Sequence, residues 1–174
     1  MVRKVIRFGL SEREINRAIK ELRAHKQELV QKTNLLRERI AAEIANNAQS
    51  GFAGAIVDDL LQGGKRVAEV DVTVSNQDNI SIIVANGEDA IWVEFGAGVY
   101  HNGSVGSSPH PKGQELGFTI GGYGKGYGKK TVWGYYKDGE LRLTHGTPAV
   151  MPMMNSVKIV CSDISKMAQE VFGR

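Results

Sequence analysis

Residues 67–85 read VAEVDVTVSNQDNISIIVA. In the first half, Val70, Val72 and Val74 alternate with Glu69, Asp71 and Thr73. That period of two describes a strand with one apolar and one polar face. Residues 76–79 are turn-like, and Ile80 to Ala85 returns as a second strand, so the stretch predicts a β-hairpin. Working outward, the period changes. Upstream the apolar positions are Ile15, Ile19, Leu22, Leu29, Leu36, Ile40 and Ile44, stepping by three and four or their sum. That is the seam of an amphipathic helix. A helical seam followed by hairpins predicts an α+β fold.

Ser11 is placed to open the helix, with Glu14 completing a capping box. Lys26 and Thr33 occupy two seam positions, so the pattern is not a clean coiled coil. No proline or glycine interrupts residues 11–48. One helix over that span is about 57 Å long at 1.5 Å per residue. A small domain does not cover such a length, so the helix either breaks near residues 31–34 or projects to pack on another subunit. A short strand is expected over residues 2–8. A second, short helix carrying Phe52, Ile56, Val57, Leu60 and Leu61 is expected to stop at Gly63-Gly64.

Downstream, Asn86-Gly87 signals a turn, and residues 90–95 form a strand or a helical turn. Residues 96–130 hold 11 of the chain's 21 glycines and read as a long inserted loop. TVWGYYK (131–137) and ELRLT (140–144) then make a hairpin about Asp138-Gly139. Pro148 and Pro152 flank the start of a last helix, whose apolar stripe includes Val157, Val160, Cys161, Ile164, Met167 and Val171. Cys161, the only cysteine, is expected to be a buried structural thiol. The expected architecture is one domain over residues 1–174. An antiparallel sheet of about four strands packs against an N-terminal helix (11–48) and a C-terminal helix, with the loop 96–130 inserted between strands.

Composition bounds the function. At 41% hydrophobic and 24% charged residues, the chain is expected to pack a globular core. No apolar run approaches the roughly 18 residues of a membrane span. MVRKVIRFGL lacks a long apolar core and cleavage site, so secretion is not expected. The net charge of +3 is uneven: residues 1–50 carry 11 Lys/Arg against 6 Asp/Glu. That basic excess reads either as a solvated helix face or as a surface for an anionic partner.

The loop stretch GGYGKGYGKK (121–130) has the look of a phosphate cradle, but its register fails. A P-loop pairing Gly128-Lys129 with an earlier glycine needs it at 123, where Tyr123 stands, and Lys130 takes the Ser/Thr position. A dinucleotide fingerprint from Gly122 and Gly124 needs glycine at 127, where Tyr127 stands. A strand, not a helix, follows. Three readings stay open: a pliable surface loop, an arm ordered on a protein neighbour, or stacking tyrosines and phosphate-binding lysines on nucleic acid. In all of them Tyr123, Lys125, Tyr127, Lys129 and Lys130 are the contact candidates.

His101, His110 and His145 match no metal spacing, and no HExxH is present. His110, set in PHP, is expected on a stiff, exposed turn. Glu94 in WVEFG is the most informative carboxylate and is expected to bind a backbone amide or a lysine near the sheet's end. No catalytic group, cofactor site or metal site emerges; a hydrolase using Glu94 and a histidine is the remaining enzymatic alternative.

Ile91-Trp92-Val93-Glu94-Phe95-Gly96-Ala97-Gly98 resembles the signature of the tail-completion or neck proteins of long-tailed bacteriophages, also described as minor capsid or head–tail joining proteins. Thr147-Pro148-Ala149-Val150-Met151-Pro152-Met153 is similar to that family's alanine- and proline-bearing lead into the last helix. About 15 residues carry the motifs, while the plan covers most of the chain. Departures are Ala97, where the family commonly has threonine, the long insertion and the long first helix. The resemblance implies a non-enzymatic structural subunit of the virion, assembled in the bacterial host cytoplasm. Such subunits form a ring, often a hexamer, at the head-proximal end of the tail. It implies tail-tube and connector or stopper proteins as partners, and phage DNA passing through the channel without sequence-specific contact. No cofactor and no membrane are implied. Trp92, Glu94 and Phe95 join the loop residues as expected subunit contacts. Alternatives are a head-side connector or minor capsid protein and, from another class, a nucleic-acid-binding module using the basic helix and the Tyr/Lys loop.

Overall fold

The structure, a computed structural model, describes residues 5–59, 64–98, 100–101, 104–105, 108–118 and 132–173. It is α+β. In chain order the elements are α1 (Glu12–Ala53), β1 (Ile56–Asp59), β2 (Gly64–Val67), β3 (Asp71–Gln77), β4 (Ile80–Asn86) and α2 (Ala90–Phe95). They continue with β5 (Ala97–Gly98), β6 (Tyr100–His101), β7 (Ser104–Val105), β8 (Trp133–Lys137), β9 (Glu140–Thr144), β10 (Gly146–Thr147) and α3 (Pro152–Phe172).

Helix α1 runs unbroken for 42 residues, about 63 Å. Ser11 caps it: its Oγ accepts from Glu14 N at 3.4 Å and donates to the Glu14 carboxylate at 2.7 Å. The helix does not break at residues 31–34; Thr33 stays helical and donates its hydroxyl to the Leu29 carbonyl one turn back (2.8 Å). Gly51 does not end it either. Pro152 of α3 crosses there, and a Cβ at 51 would lie 2.9 Å from Pro152 Cβ, so the glycine permits close helix approach rather than a stop. The expected short strand at the N-terminus is not formed over residues 5–9; residues 1–4 lie outside the described residues.

The second helix expected from Phe52 is also replaced. Phe52 and Ala53 complete α1, and Ile56–Asp59 pairs antiparallel with Gly64–Val67 as a hairpin. The β-branched pair Ile56-Val57 and the burial of Val57 and Asp59 on alternate positions suit a strand. The stretch 67–85 divides at residues 68–70, and β3 and β4 then pair from Asp71↔Asn86 to Gln77↔Ile80 about Asp78-Asn79. Asp78 takes a positive φ of 43° in that turn. The second expected hairpin is present as β8–β9, with Asp138 and Gly139 at φ of 53° and 79°.

The strands form five two-stranded antiparallel ladders among the described residues, rather than one sheet of about four. Side chains explain why the ladders stay separate. At the edge of β3, the Gln49 amide of α1 stands in for a neighbouring strand: Oε1 accepts from Val72 N (2.7 Å) and Nε2 donates to Val70 O (3.1 Å). At β1, Thr144 of β9 donates its hydroxyl to Asp58 O (2.9 Å), and the Asp58 carboxylate accepts from His145 N (2.7 Å).

The core lies where α1, β1–β2 and α2 meet. Ala48, Phe52, Ala55, Val57, Ala68 and Val93 are buried together, with Val70, Val72, Ala85 and Met153 against them. On α1 the buried stripe is Ala41, Ala45, Ala48 and Phe52 at helical spacing; the small alanines admit α3 closely and Phe52 fills the core. Helix α3 returns antiparallel along this half: Pro152 meets Gly51, and Glu170 pairs with Arg39 at 2.6 Å. The hairpin tip is held at the same level, where Arg37 donates to the Asp78 carbonyl. Beyond it, among the described residues, the ion pairs of residues 12–34 are local to the helix: Arg17–Glu21, His25–Glu28 and Glu28–Lys32. Of α3's expected stripe, Val160 and Met167 lie on the buried face, together with Pro152 and Ser156, while Val157 and Ile164 remain exposed. Cys161 is exposed, not buried, because α3 meets α1 along a narrower face than its hydrophobic positions span.

Candidate functional site

Short helix α2 carries the VEFG segment and points three consecutive side chains to different jobs. Val93 enters the core and is fully buried. Glu94 turns toward the start of α3, and Phe95 toward residues 108–118. Gly96 ends the helix at φ 81°, with its N–H on Trp92 O at 2.7 Å.

Helix α3 begins with an arrangement that calls for an external acceptor. Pro152 at its first position has no N–H, and Met151 before it sits in the left-handed region (φ 57°, ψ 49°) with no side-chain cap. The next two amides would be orphan donors. Glu94 supplies both acceptors: Met153 N donates to Oε2 (2.8 Å) and Met154 N to Oε1 (2.9 Å). A carboxylate at a helix N-terminus also meets the positive end of the macrodipole. The backbone strengthens the joint, since Val93 O accepts from Val150 N (2.9 Å) and Met151 N (3.3 Å). Of the two partners expected for Glu94, a backbone amide or a lysine, the structure shows the amide, and the amides belong to the other motif segment.

His110 is the third party. It is buried at 7% exposure, against the exposed turn expected from PHP. Its Nε2 lies 3.3 Å from Glu94 Oε1, and its Nδ1 accepts from Lys112 N at 3.0 Å. An acceptor Nδ1 places the proton on Nε2, directed at the carboxylate. The prolines stiffen the turn, but the buried carboxylate draws it inward. Ser108 ties the same segment down: its Oγ donates to Phe95 O (2.5 Å) and accepts from His110 N (3.2 Å). Phe95 stacks on Phe118 with centroids 4.4 Å apart and packs on His110 at 4.3 Å, while Trp92 meets Phe118 edge-on at 6.3 Å. Trp92, Glu94 and Phe95 thus gather on one turn, 108–118. Neither nitrogen of His110 is left open, and Ser108 does not bond its ring. His145, the other histidine considered beside Glu94, instead pairs with Asp58 at 3.1 Å.

A second anchor lies at Asp89, which precedes α2. Its carboxylate accepts from Arg66 Nη1 (2.6 Å), Arg66 Nη2 (2.8 Å) and Glu69 N (2.9 Å). Burial pushes the Asp89 carboxyl up, but Arg66 and the Glu69 amide outweigh it and hold it below the ordinary aspartate range. The same pairing holds Arg66 above its ordinary value. A cavity of about 620 Å³ opens beside Trp92, between β1–β2 and the β8–β9 hairpin, with Tyr135 and Tyr136 in its wall. The cationic groups of that wall are already paired, Arg66 with Asp89 and Lys137 with Glu88 at 2.7 Å.

Sequence reasoning missed His110, Ser108 and Phe118, whose partners lie across the fold; the Ser-x-His turn was the available signal. Tyr123, Lys125, Tyr127, Lys129 and Lys130 lie outside the described residues. Among the described residues, no group of three or more His, Cys, Asp and Glu gathers to hold a metal, and no helix is long and apolar enough to cross a membrane. Comparison of the chain with protein-family models, with curated proteins and with solved structures returns no match.

Proposed function

We propose that this chain is a structural subunit of a tailed bacteriophage. In this reading it is a neck or tail-completion protein, built into a ring at the head-proximal end of the tail and joining tail to head around the DNA channel. One observation carries the reading. The two segments that resemble the family, WVEFG and TPAVMPM, are some 55 residues apart in the chain, yet Glu94 and Val93 bond the amides of Val150, Met151, Met153 and Met154 directly. Two short motifs that form one joint support the resemblance better than either does alone. A second feature agrees with assembly: one stripe of the first half of α1 carries large aliphatic side chains in water. The body serves as the ring's wall, and the first half of α1 and the Tyr/Lys stretch 121–130 are the contacts to neighbouring subunits or layers.

Mass photometry and sedimentation of the purified chain, alone and with tail-tube protein, test this. The expected result is a closed oligomer that associates with tube ends. A strict monomer that never joins tubes overturns it.

A further inference from the structure

Two apolar surfaces remain uncovered at opposite kinds of element. The first is the seam of the protruding half of α1, where Ile15, Ile19, Leu22 and Leu29 are 37–55% exposed. The neighbouring helix face is not equivalent, since Ala18 is buried and His25 and Lys32 are half-buried. The second is the outer face of β4. Its inward residues Ile83 and Ala85 lie on the side facing α1, yet Ile80, Ile82 and Val84 on the opposite side are also aliphatic, and 42–58% exposed. An antiparallel hairpin with one wet face alternates apolar with polar; β3 does so and β4 does not. A strand that is apolar on both sides is written to be covered on both.

We infer that the protruding helix of one copy lies across the outer face of the β3–β4 hairpin of the next copy. This deepens the assembly reading above and rests on it. Charge selects the pairing. Residues 67–111 contain no lysine or arginine, and the hairpin region carries Glu69, Asp71 and Asp78. Residues 12–34 carry six lysines and arginines against four glutamates, with Lys26 in the seam and Arg23 beside it. A basic-edged apolar helix and an acidic-edged apolar sheet face are complementary. Pairing two of these helices in parallel instead sets Lys26 against Lys26 in the seam, an unfavourable core position. The sizes agree as well: the seam from Ile15 to Leu29 is about 21 Å long, and seven-residue β4 about 23 Å. The contact is heterologous, so each copy offers a helix to one neighbour and a hairpin to the other, which builds a ring where the rotation closes.

Directed cross-linking tests the contact. In a Cys161→Ser background, which removes the exposed native thiol, a Leu22→Cys chain is mixed with a size-tagged Ile82→Cys chain and mildly oxidised. The expected product is the mixed disulfide dimer, in excess over both same-variant dimers. A dominant Leu22→Cys homodimer overturns the inference in favour of helix-to-helix pairing. Native protein that forms rings while the mixed product is absent overturns the contact and leaves the ring reading standing; a chain that stays monomeric overturns both. In parallel, Ile82→Lys is expected to weaken self-association about tenfold or more with an unchanged melting temperature for the dispersed chain, because Ile82 is exposed there. Unchanged association of Ile82→Lys also overturns the contact.

Discussion

The two halves of α1 share one helix and follow opposite rules. From Arg37 to Ala53 the inward residues are Ala41, Ala45, Ala48 and Phe52, and the helix is enclosed by α3 and the β3–β4 hairpin. From Glu12 to Thr33 the stripe is Ile15, Ile19, Leu22 and Leu29, larger and more hydrophobic, yet exposed. Hydrophobicity alone would rank the halves the wrong way round. The alanines mark where another helix of the same chain comes close, Phe52 fills the core beside them, and the large aliphatic residues of the first half find no such cover. Burial within one chain is therefore decided by geometry of approach, not by residue apolarity.

The sharpest way to break the contrast is in the packed half. Phe52→Ala should lower unfolding free energy by about 3–5 kcal/mol, because a fully buried ring leaves a cavity that α1 and α3 cannot collapse. Denaturant titration measures it; a loss within 1 kcal/mol would mean the site collapses freely. Next, Glu94→Ala should cost about 3 kcal/mol, since two amides at the start of α3 and the His110 ring lose their buried acceptor. Glu94→Gln, which keeps an acceptor oxygen, should lose less, and the gap between the two variants in thermal unfolding reports the share carried by charge.

Acid comes third. The Asp89 carboxyl is depressed in the folded chain, so its stabilising contribution is complete above the unfolded aspartate value and disappears as pH falls below about 4. Urea midpoints measured from pH 7 down to pH 3 should fall along that limb. Arg66→Met should flatten it, because the cation that holds the carboxyl down is gone. The smallest effect belongs to the protruding half. Leu22→Ser should change the stability of the dispersed chain by no more than about 0.5 kcal/mol. If its melting temperature dropped as far as that of Phe52→Ala, the protruding half would be part of the body after all.

The residues announced some of this and concealed the rest for identifiable reasons. The capping pair Ser11 and Glu14, the hairpin about Asp78-Asn79, the turn at Asp138-Gly139 and the proline-led α3 are local devices, legible because each depends on neighbours in sequence. At position 51, a glycine that stops a helix and a glycine that admits a crossing partner look alike in sequence until Pro152 is in place. Cys161 sits at a helical spacing that suits burial, but α3 buries a narrower arc than its apolar residues describe. His110 is similar: the flanking prolines describe the stiffness of its turn, and only Glu94, from a different part of the chain, determines which way the turn faces. Of the candidate site, Glu94's role as an amide acceptor was legible in outline. The identity of those amides was not, since they lie almost sixty residues downstream.

The short ladder of β5 and β10 gives the long excursion between them a particular standing. Ala97 pairs with Thr147 and Gly98 with Gly146, so the segment leaves and re-enters the body at one place. The joint between Glu94 and the start of α3 lies just outside that gate. Loop length enters stability only logarithmically once the ends are pinned. The gate brings the two ends of the excursion together, while Ser108, His110 and Phe118 on α2 and Thr144 on Asp58 tie parts of it back to the body. Length and composition are free only between those ties, and divergence among chains of this design should accumulate there first.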